Sequence, residues 1–504
     1  MEAFMVKRAG ILLPLFSVPG NQGIGDLGQK TNMMVDAITN AGYQIWSMLP
    51  LSPNYEDNSP YAAVSMYAGD PIYINIDRLA EMGLLTQSSV INCNKFKDYV
   101  DYDTVRAFKE PYFQRAFKQF RKKYAQFKPG FEAFKREAFW LNTWTAYELF
   151  RENYNGAGWS EWEDEYRNWP EKQEINLRDQ VEKVFYIQFL QYIFYLQFQQ
   201  VVDYAHKKGL KLMQDVPYLP DLDTADVWGA KKNFQLGPDG NPTWYAGSQP
   251  DAVFKEGQVW KRPVYDPDYL ARTDSRILCD RFKWYAKFFD IIRIVHFKGF
   301  DACWKIPAGK TAREGRIELG PGKELLEKIL ADNPGLEIIA EDLGQARPSL
   351  TELETSLGIP GMHILQQHME TKMLKHPVEP GKVVYTSCYD TRTCEEDYAT
   401  YTNNKRIALR RFFKKRGYDH RAFHELVCHF ALDSSADLVL LNMADILGLK
   451  GQAHLAHLLE EQEGVSNWTW KIKDFKSFPD YLNKTTEWLA TSGRLAPETN
   501  GEQA

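Results

Sequence analysis

The stretch Arg293-Ile294-Val295-His296-Phe297-Lys298-Gly299-Phe300 constrains this chain more than any other. It follows Phe288-Phe289-Asp290-Ile291-Ile292, an apolar run that reads as a buried strand entering a loop. An Arg, a His and a Gly gathered at a strand's C-terminal end form a polar constellation where an α/β barrel carries its active site. The pattern recurs. Leu210-Lys211-Leu212-Met213 ends in Gln214-Asp215-Val216-Pro217, and Leu336 to Ala340 delivers Glu341-Asp342-Leu343-Gly344. Val383-Val384-Tyr385-Thr386 runs into Ser387-Cys388-Tyr389-Asp390-Thr391-Arg392-Thr393. Strands alternating with helices, with the odd polar residues at strand ends, predict the α/β class and a (β/α)8 TIM barrel with helical insertions.

Residues 1–504 are expected to form a single barrel. Its first strand, Gly10 to Phe16, leads into a glycine-rich loop, Pro19 to Gly28, whose spacing fits neither nucleotide fingerprint. A helix over 31–40 and a strand over 43–51 follow. From 103 to 208 the pattern is helical: Phe113, Phe117, Phe120, Tyr124 and Phe127, then Val184, Ile187, Leu190, Ile193 and Leu196, recur at three- and four-residue spacing. This span reads as an inserted, mostly helical subdomain that stops at Lys207-Lys208-Gly209, cations in the last turn before a glycine. A further helix is expected over Ala453 to Glu461, and a flexible C-terminal tail over 476–504.

A net charge of −6 leaves no basic footprint for nucleic acid or an anionic membrane. The six cysteines are scattered without a C-x-x-C pair, which argues against a zinc site or disulfide scaffold and suits a reducing cytosol. Lys7-Arg8 before Ile11 to Phe16 imitates a weak signal peptide, but the apolar run is short and Pro14 interrupts it. The expectation is a cytoplasmic protein with no metal or cofactor. Aromatic residues at 14% are expected to serve core packing, stacking against a ligand, or both.

The ordered motifs together resemble those of the 4-α-glucanotransferases (amylomaltases, or disproportionating enzymes). Asn58-Ser59-Pro60-Tyr61 and Ser65-Met66-Tyr67-Ala68-Gly69-Asp70-Pro71 are similar to a family loop that packs over the bound glucan. Asp223-Thr224-Ala225-Asp226-Val227-Trp228, Pro250-Asp251 and Gly257-Gln258-Val259-Trp260 continue the likeness, as do Trp304-Lys305-Ile306-Pro307, Glu341-Asp342-Leu343-Gly344 and Asn467-Trp468-Thr469-Trp470. The resemblance runs from about residue 8 to 475. It implies an α-1,4-glucan or maltooligosaccharide as ligand, Glu341 as acid/base, Asp390 as the carboxylate gripping sugar hydroxyls, and Arg293 as the residue that holds the nucleophile ionised. Tyr61, Asp215, Asp251, Trp260 and His296 are the implied substrate contacts.

The chain departs from the family where chemistry is made. Val295 stands where the family has its nucleophilic Asp, and so deprives Arg293 of its expected partner. Ala62, Asp70, Lys261-Arg262 and Tyr389-Asp390-Thr391 also differ from the family pattern, the two cations pointing either into the cleft or to solvent. Retaining transfer needs two carboxyl groups about 5 Å apart, one to attack and one to protonate and deprotonate oxygen. Three readings follow: a catalytically degenerate homologue kept for glucan binding, scaffolding or regulation of a protein partner, which is favoured; an active 4-α-glucanotransferase with an unusual mechanism; and an inverting hydrolysis using Glu341 and Asp390.

Overall fold

The computed structural model describes residues 7–55, 57–90, 96–251, 254–344, 347–450, 467–473, 475–476 and 478–497; the helix expected over 453–461 lies outside them. Eight strands build the centre: β1 (Arg8–Leu12), β2 (Ile45–Met48), β3 (Lys211–Pro217), β4 (Ile291–Val295), β5 (Glu337–Ala340), β6 (Gly361–Ile364), β7 (Lys382–Tyr385) and β8 (Leu438–Asn442). Every pairing is parallel and each strand lies beside its neighbour in sequence, with β8 returning to β1. The remaining seam, β5 to β6, is bridged by the Ala340 N–H donating to the Pro360 carbonyl at 2.8 Å. Sequential parallel pairing that comes back on itself is a TIM barrel. Its strands are short apolar runs buried on both faces, as parallel sheets covered by helices require.

The long insertion lies between β2 and β3. It carries helices Tyr102–Lys122, Tyr124–Glu137, Leu141–Asn153 and Val181–Lys207, the last followed by Gly209 at φ +74°, a left-handed stop after two lysines. Buried polar contacts tie the insertion to the barrel loops. Lys109, fully buried, donates to the carbonyls of Ile72 and Ile74 at 2.8 Å and meets Asp26 at 3.2 Å. Arg106 grips Asp70 through two nitrogens, at 2.8 and 2.6 Å. Asp70 therefore works inside the fold, as does the cap it places on Ile72.

A second sheet was not foreseen. Strands Trp244–Ser248 and Gln258–Pro263, after β3, pair antiparallel with each other, and Trp244–Ser248 pairs in turn with Ala302–Pro307, which follows β4 and is joined by Arg316–Leu319. This four-stranded sheet rises beside the barrel mouth and presents Trp260 and Arg262.

The expectation of a flexible tail over 476–504 is corrected for its first part. Residues Phe478–Thr491 form an α-helix that buries Phe478, Leu482, Thr485 and Leu489 at helical spacing. Arg494, fully buried beyond it, donates to the carbonyls of Leu432 (2.7 Å), Arg8 (3.0 Å), Ser434 (2.9 Å) and Ala436 (2.5 Å). One guanidinium thus satisfies backbone acceptors beside β1 and before β8. Among the described residues no helix is long and apolar enough to cross a membrane. Arg494→Met leaves those carbonyls without this donor, and stability should fall by roughly 3 kcal/mol or more. A urea titration checks this; an unchanged midpoint would show the segment to be dispensable.

Candidate active site

The site begins with strand alternation. On β4, Arg293 faces the barrel interior, so Val295, two residues on, shares that face while Ile292 and Ile294 turn outward. Arg293 lies in register with Asp215 of β3. Its Nε donates to Asp215 Oδ1 at 2.8 Å and its Nη2 to Asp215 Oδ2, a bidentate pair with both side chains buried. The Tyr61 hydroxyl donates to the same Oδ2 at 2.6 Å and lies 3.1 Å from Arg293 Nη2. Val295 does not strand the guanidinium, as its loss of the family Asp led one to expect: Asp215 and Tyr61 are its partners.

Glu341 follows β5 directly, and its N–H donates to the Ile294 carbonyl at 3.1 Å. Ile294 and Ala340 are the last registered pair of β4 and β5, so Val295 and Glu341 stand side by side just beyond. The Glu341 carboxylate is 3.8 Å from Arg293 Nη1 and 3.6 Å from His296 Nδ1. Burial pushes its pKa up to about 7; Arg293 opposes that rise, and the charges of Asp390 and Asp215 reinforce it. Its neighbour Asp342 has a different task, accepting from the Met362 N–H at 2.8 Å and pairing with Lys382, which ties β6 and β7 together.

His296 occupies the left-handed region, φ +57°, costly for most non-glycine residues but open to His. The turn lays its ring on Trp260, centroids 4.6 Å apart and planes within 17°. Burial and the positive charges of Arg262, Arg293 and Lys298 lower its pKa to about 4, so the imidazole is neutral at pH 7. Trp260 also donates to Gln258 Oε1 at 3.2 Å.

Both orientations weighed for the two cations occur. Residues alternate along Gln258–Pro263, and Lys261 is exposed at φ +57°. Arg262 turns to the mouth, where its Nε donates to Asp221 Oδ1 at 2.7 Å and its Nη2 to the Tyr61 carbonyl at 3.2 Å. Asp221 escaped the sequence reading; it lies 41 residues before Arg262, and only the fold brings the two together.

Asp390 is exposed beyond β7, and its charge is felt by both Glu341 and Tyr61. Glu341 and Asp390 thus lie toward one rim. Tyr389, one of the positions that departs from the family pattern, is buried, and its hydroxyl donates to the Ser47 carbonyl at 2.5 Å. Thr391 closes the turn by accepting from the Cys388 N–H at 2.9 Å. Asp251 is exposed, its carboxylate accepting from the Phe254 N–H at 2.6 Å, with its charge felt by Lys298. The structure therefore gathers Arg293, Asp215, Tyr61, Glu341, His296 and Trp260 closely, with Asp390 at the rim and Asp251 farther out. Glu341 can hold or release a proton near neutral pH; no carboxylate stands at position 295.

The sequence pattern of the 4-alpha-glucanotransferases, glycoside hydrolase family 77, matches residues 13–477, and the chain belongs to that family. It is 33% identical to a 4-alpha-glucanotransferase of Synechocystis over 514 residues, covering 97% of this chain and 96% of that one. It is 30% identical to the 4-alpha-glucanotransferase of Aquifex aeolicus over 488 residues, 95% of this chain and 98% of the other. The fold is similar to that of an amylomaltase from Streptococcus agalactiae solved in complex with acarbose, with a TM-score of 0.87, 24% identity, and coverage of 97% and 99% of the two chains.

Because the folded pKa of Glu341 lies above the free value of 4.5, ionising it opposes folding. Its contribution is intact below about pH 4.5 and is lost as pH rises through about 7. Glu341→Gln should match the unmodified chain in stability near pH 4 and exceed it above pH 8 by up to about 3 kcal/mol. Urea midpoints measured across that range check the sign.

Proposed function

We propose that this chain is a catalytically degenerate member of its family that binds α-1,4-glucan at the barrel mouth but does not carry out retaining transfer. The observation that carries the reading is Val295. It is 7% exposed, on the inner face of β4 and beside Glu341, where a retaining reaction calls for an attacking oxygen. A valine has no lone pair to offer the anomeric carbon. Loss of the nucleophile from such a coupled unit costs on the order of 10⁶ in rate. His296 is a poor substitute, since its ring is stacked on Trp260.

Binding is supported by different features. Trp260 and Tyr61 are partly exposed aromatic residues beside fixed charges, which supports contact with a sugar's C–H face. The relatives are 4-alpha-glucanotransferases, and the S. agalactiae amylomaltase was solved with acarbose. The cytoplasm is the proposed location.

A proton donor persists in Glu341, which favours a second reading, slow hydrolysis with Asp390 as base to a water. Overnight incubation with maltotriose separates the cases. The proposal expects no products; glucose with longer oligomers reveals transfer, and glucose with maltose alone reveals hydrolysis. Calorimetric titration should show saturable heat with maltoheptaose at millimolar concentration, weakened at least tenfold in Trp260→Ala.

Val295→Asp should restore little or no transfer. It would add a third carboxylate beside Glu341 and Asp390, while Arg293 is already committed to Asp215 and Arg262 bridges two loops over the mouth. Strong maltotriose disproportionation by this single variant would show that the rest of the site is intact.

A further inference from the structure

The net charge of −6 conceals a local excess of the opposite sign: residues 398–424 carry eight Lys and Arg against one Asp. Helix Asn403–Lys414 is the centre of this excess and has no acidic residue of its own. Leu409, Phe412 and Phe413 bury its inner face. Arg410, Arg411, Lys414 and Lys415 are exposed together on the outer one, at spacings of one, four and five residues. Gly417, at φ +91°, ends the helix. The chain then turns back, and the Arg421 carbonyl accepts from Arg410 Nη2 at 3.0 Å, which sets exposed Arg421 beside the helix.

Neutral groups hold two of these guanidiniums in place. Arg410 Nε donates to the Tyr398 hydroxyl at 2.9 Å, and Arg416 lies over the Phe412 ring, 3.9 Å from its centroid. Lys405 pairs with Glu370 at 3.1 Å. Among the described residues, however, no carboxylate forms an ion pair with Arg410, Arg411, Lys414, Lys415, Arg416 or Arg421. Asp433, close by, is engaged by the Tyr418 hydroxyl at 2.8 Å and by His429 at 3.7 Å. The helix dipole accounts for Arg411 and Lys414 in the last turn, but not for Arg416 and Arg421 beyond it. Counter-charge for this face comes from outside the chain, and guanidiniums already fixed lose little freedom on meeting a carboxylate.

The rest of the chain is more acidic than the whole, which selects the partner. A bilayer or a long nucleic acid runs past the patch onto that acidic surface. A short segment does not, because charges beyond about 8 Å are largely screened at physiological salt. Ile407, half exposed, is the one large apolar side chain offered beside the cations, too little to enter a bilayer. The Tyr398 ring is stacked on Phe423, centroids 4.0 Å apart, with Arg406 and Arg410 against it, and is a poor platform for a base. We infer that this face docks a short acidic segment of a partner protein, whose carboxylates pair with Arg411, Lys414, Lys415 and Arg416. Docking here is independent of what the barrel mouth binds.

The test titrates the full chain into a fluorescein-labelled peptide of eight glutamates, read by anisotropy in about 150 mM NaCl. Saturable binding with a Kd below about 200 µM is expected, weakening as salt rises. Arg411→Glu with Lys415→Glu should weaken it at least tenfold. Lys118→Glu with Lys122→Glu makes the same change of charge at exposed positions of helix Tyr102–Lys122 and should leave the Kd within about twofold. Weaker or absent binding by the unmodified chain overturns the inference whether or not the variants fold. Equal weakening by the two reversals overturns it as well, since that is an effect of net charge. An eight-nucleotide oligothymidylate and phosphatidylserine vesicles are the comparison probes, and tighter binding of either than of the peptide also overturns it. So do salt-sensitive dimers in sedimentation velocity that Arg411→Glu with Lys415→Glu abolishes, because the occupant is then a second copy of this chain.

Discussion

The buried pair of Asp215 and Arg293 is the interaction on which the barrel mouth depends. Removing two full charges from water is expensive, and a buried ion pair repays that only when its geometry is good and its remaining hydrogen-bonding capacity is met. Here the guanidinium meets the carboxylate through two nitrogens, and the pair sits on registered positions of adjacent strands. Tyr61 supplies the additional bond, which draws the loop after β2 across the interior. Arg262 then holds that same loop from the other side through the Tyr61 carbonyl and pins it to Asp221. The strand-to-strand ion pair and Arg262 thus hold the Tyr61 loop from two sides of the opening.

The same guanidinium sets the protonation of its surroundings. It restrains the rise of the Glu341 pKa, which burial and two other carboxylates drive upward, leaving it near 7. It also helps lower His296 to about 4. The two groups 3.6 Å apart are thus no ion pair at neutral pH, because the imidazole is uncharged. What remains is a partly protonated acid beside a neutral aromatic ring stacked on Trp260, an arrangement suited to contact a sugar as well as to donate a proton.

Much of this was legible in the sequence because it depends on local pattern. The alternation of apolar runs with helical stretches, and the polar residues at strand ends, announced the barrel and placed Asp215, Arg293 and Glu341 at one end of it. The Lys207-Lys208-Gly209 stop was legible for the same reason. Other features rest on distant pairings. Nothing near Arg494 foretells that it will serve carbonyls around Leu432 and Arg8, and nothing near Tyr389 foretells its bond to Ser47. The antiparallel sheet was hidden because its strands come from two separate loops and are only four to six residues long. Arg262 could be noticed as an oddity, but its direction depended on the alternation of a strand that had not been foreseen.

Val295 is easy for the fold to accept for a physical reason found in its neighbours. A change that leaves a buried charge unpaired is severely destabilising, typically by 3–5 kcal/mol. Had Arg293 depended on residue 295, a valine there would have carried that penalty. Asp215 and Tyr61 meet the guanidinium independently, so an apolar side chain on the inner face of β4 leaves no buried charge alone. Tyr389 is similarly absorbed, its ring buried and its hydroxyl satisfied by Ser47. The ion pair that holds the barrel mouth is thus independent of the side chain at position 295.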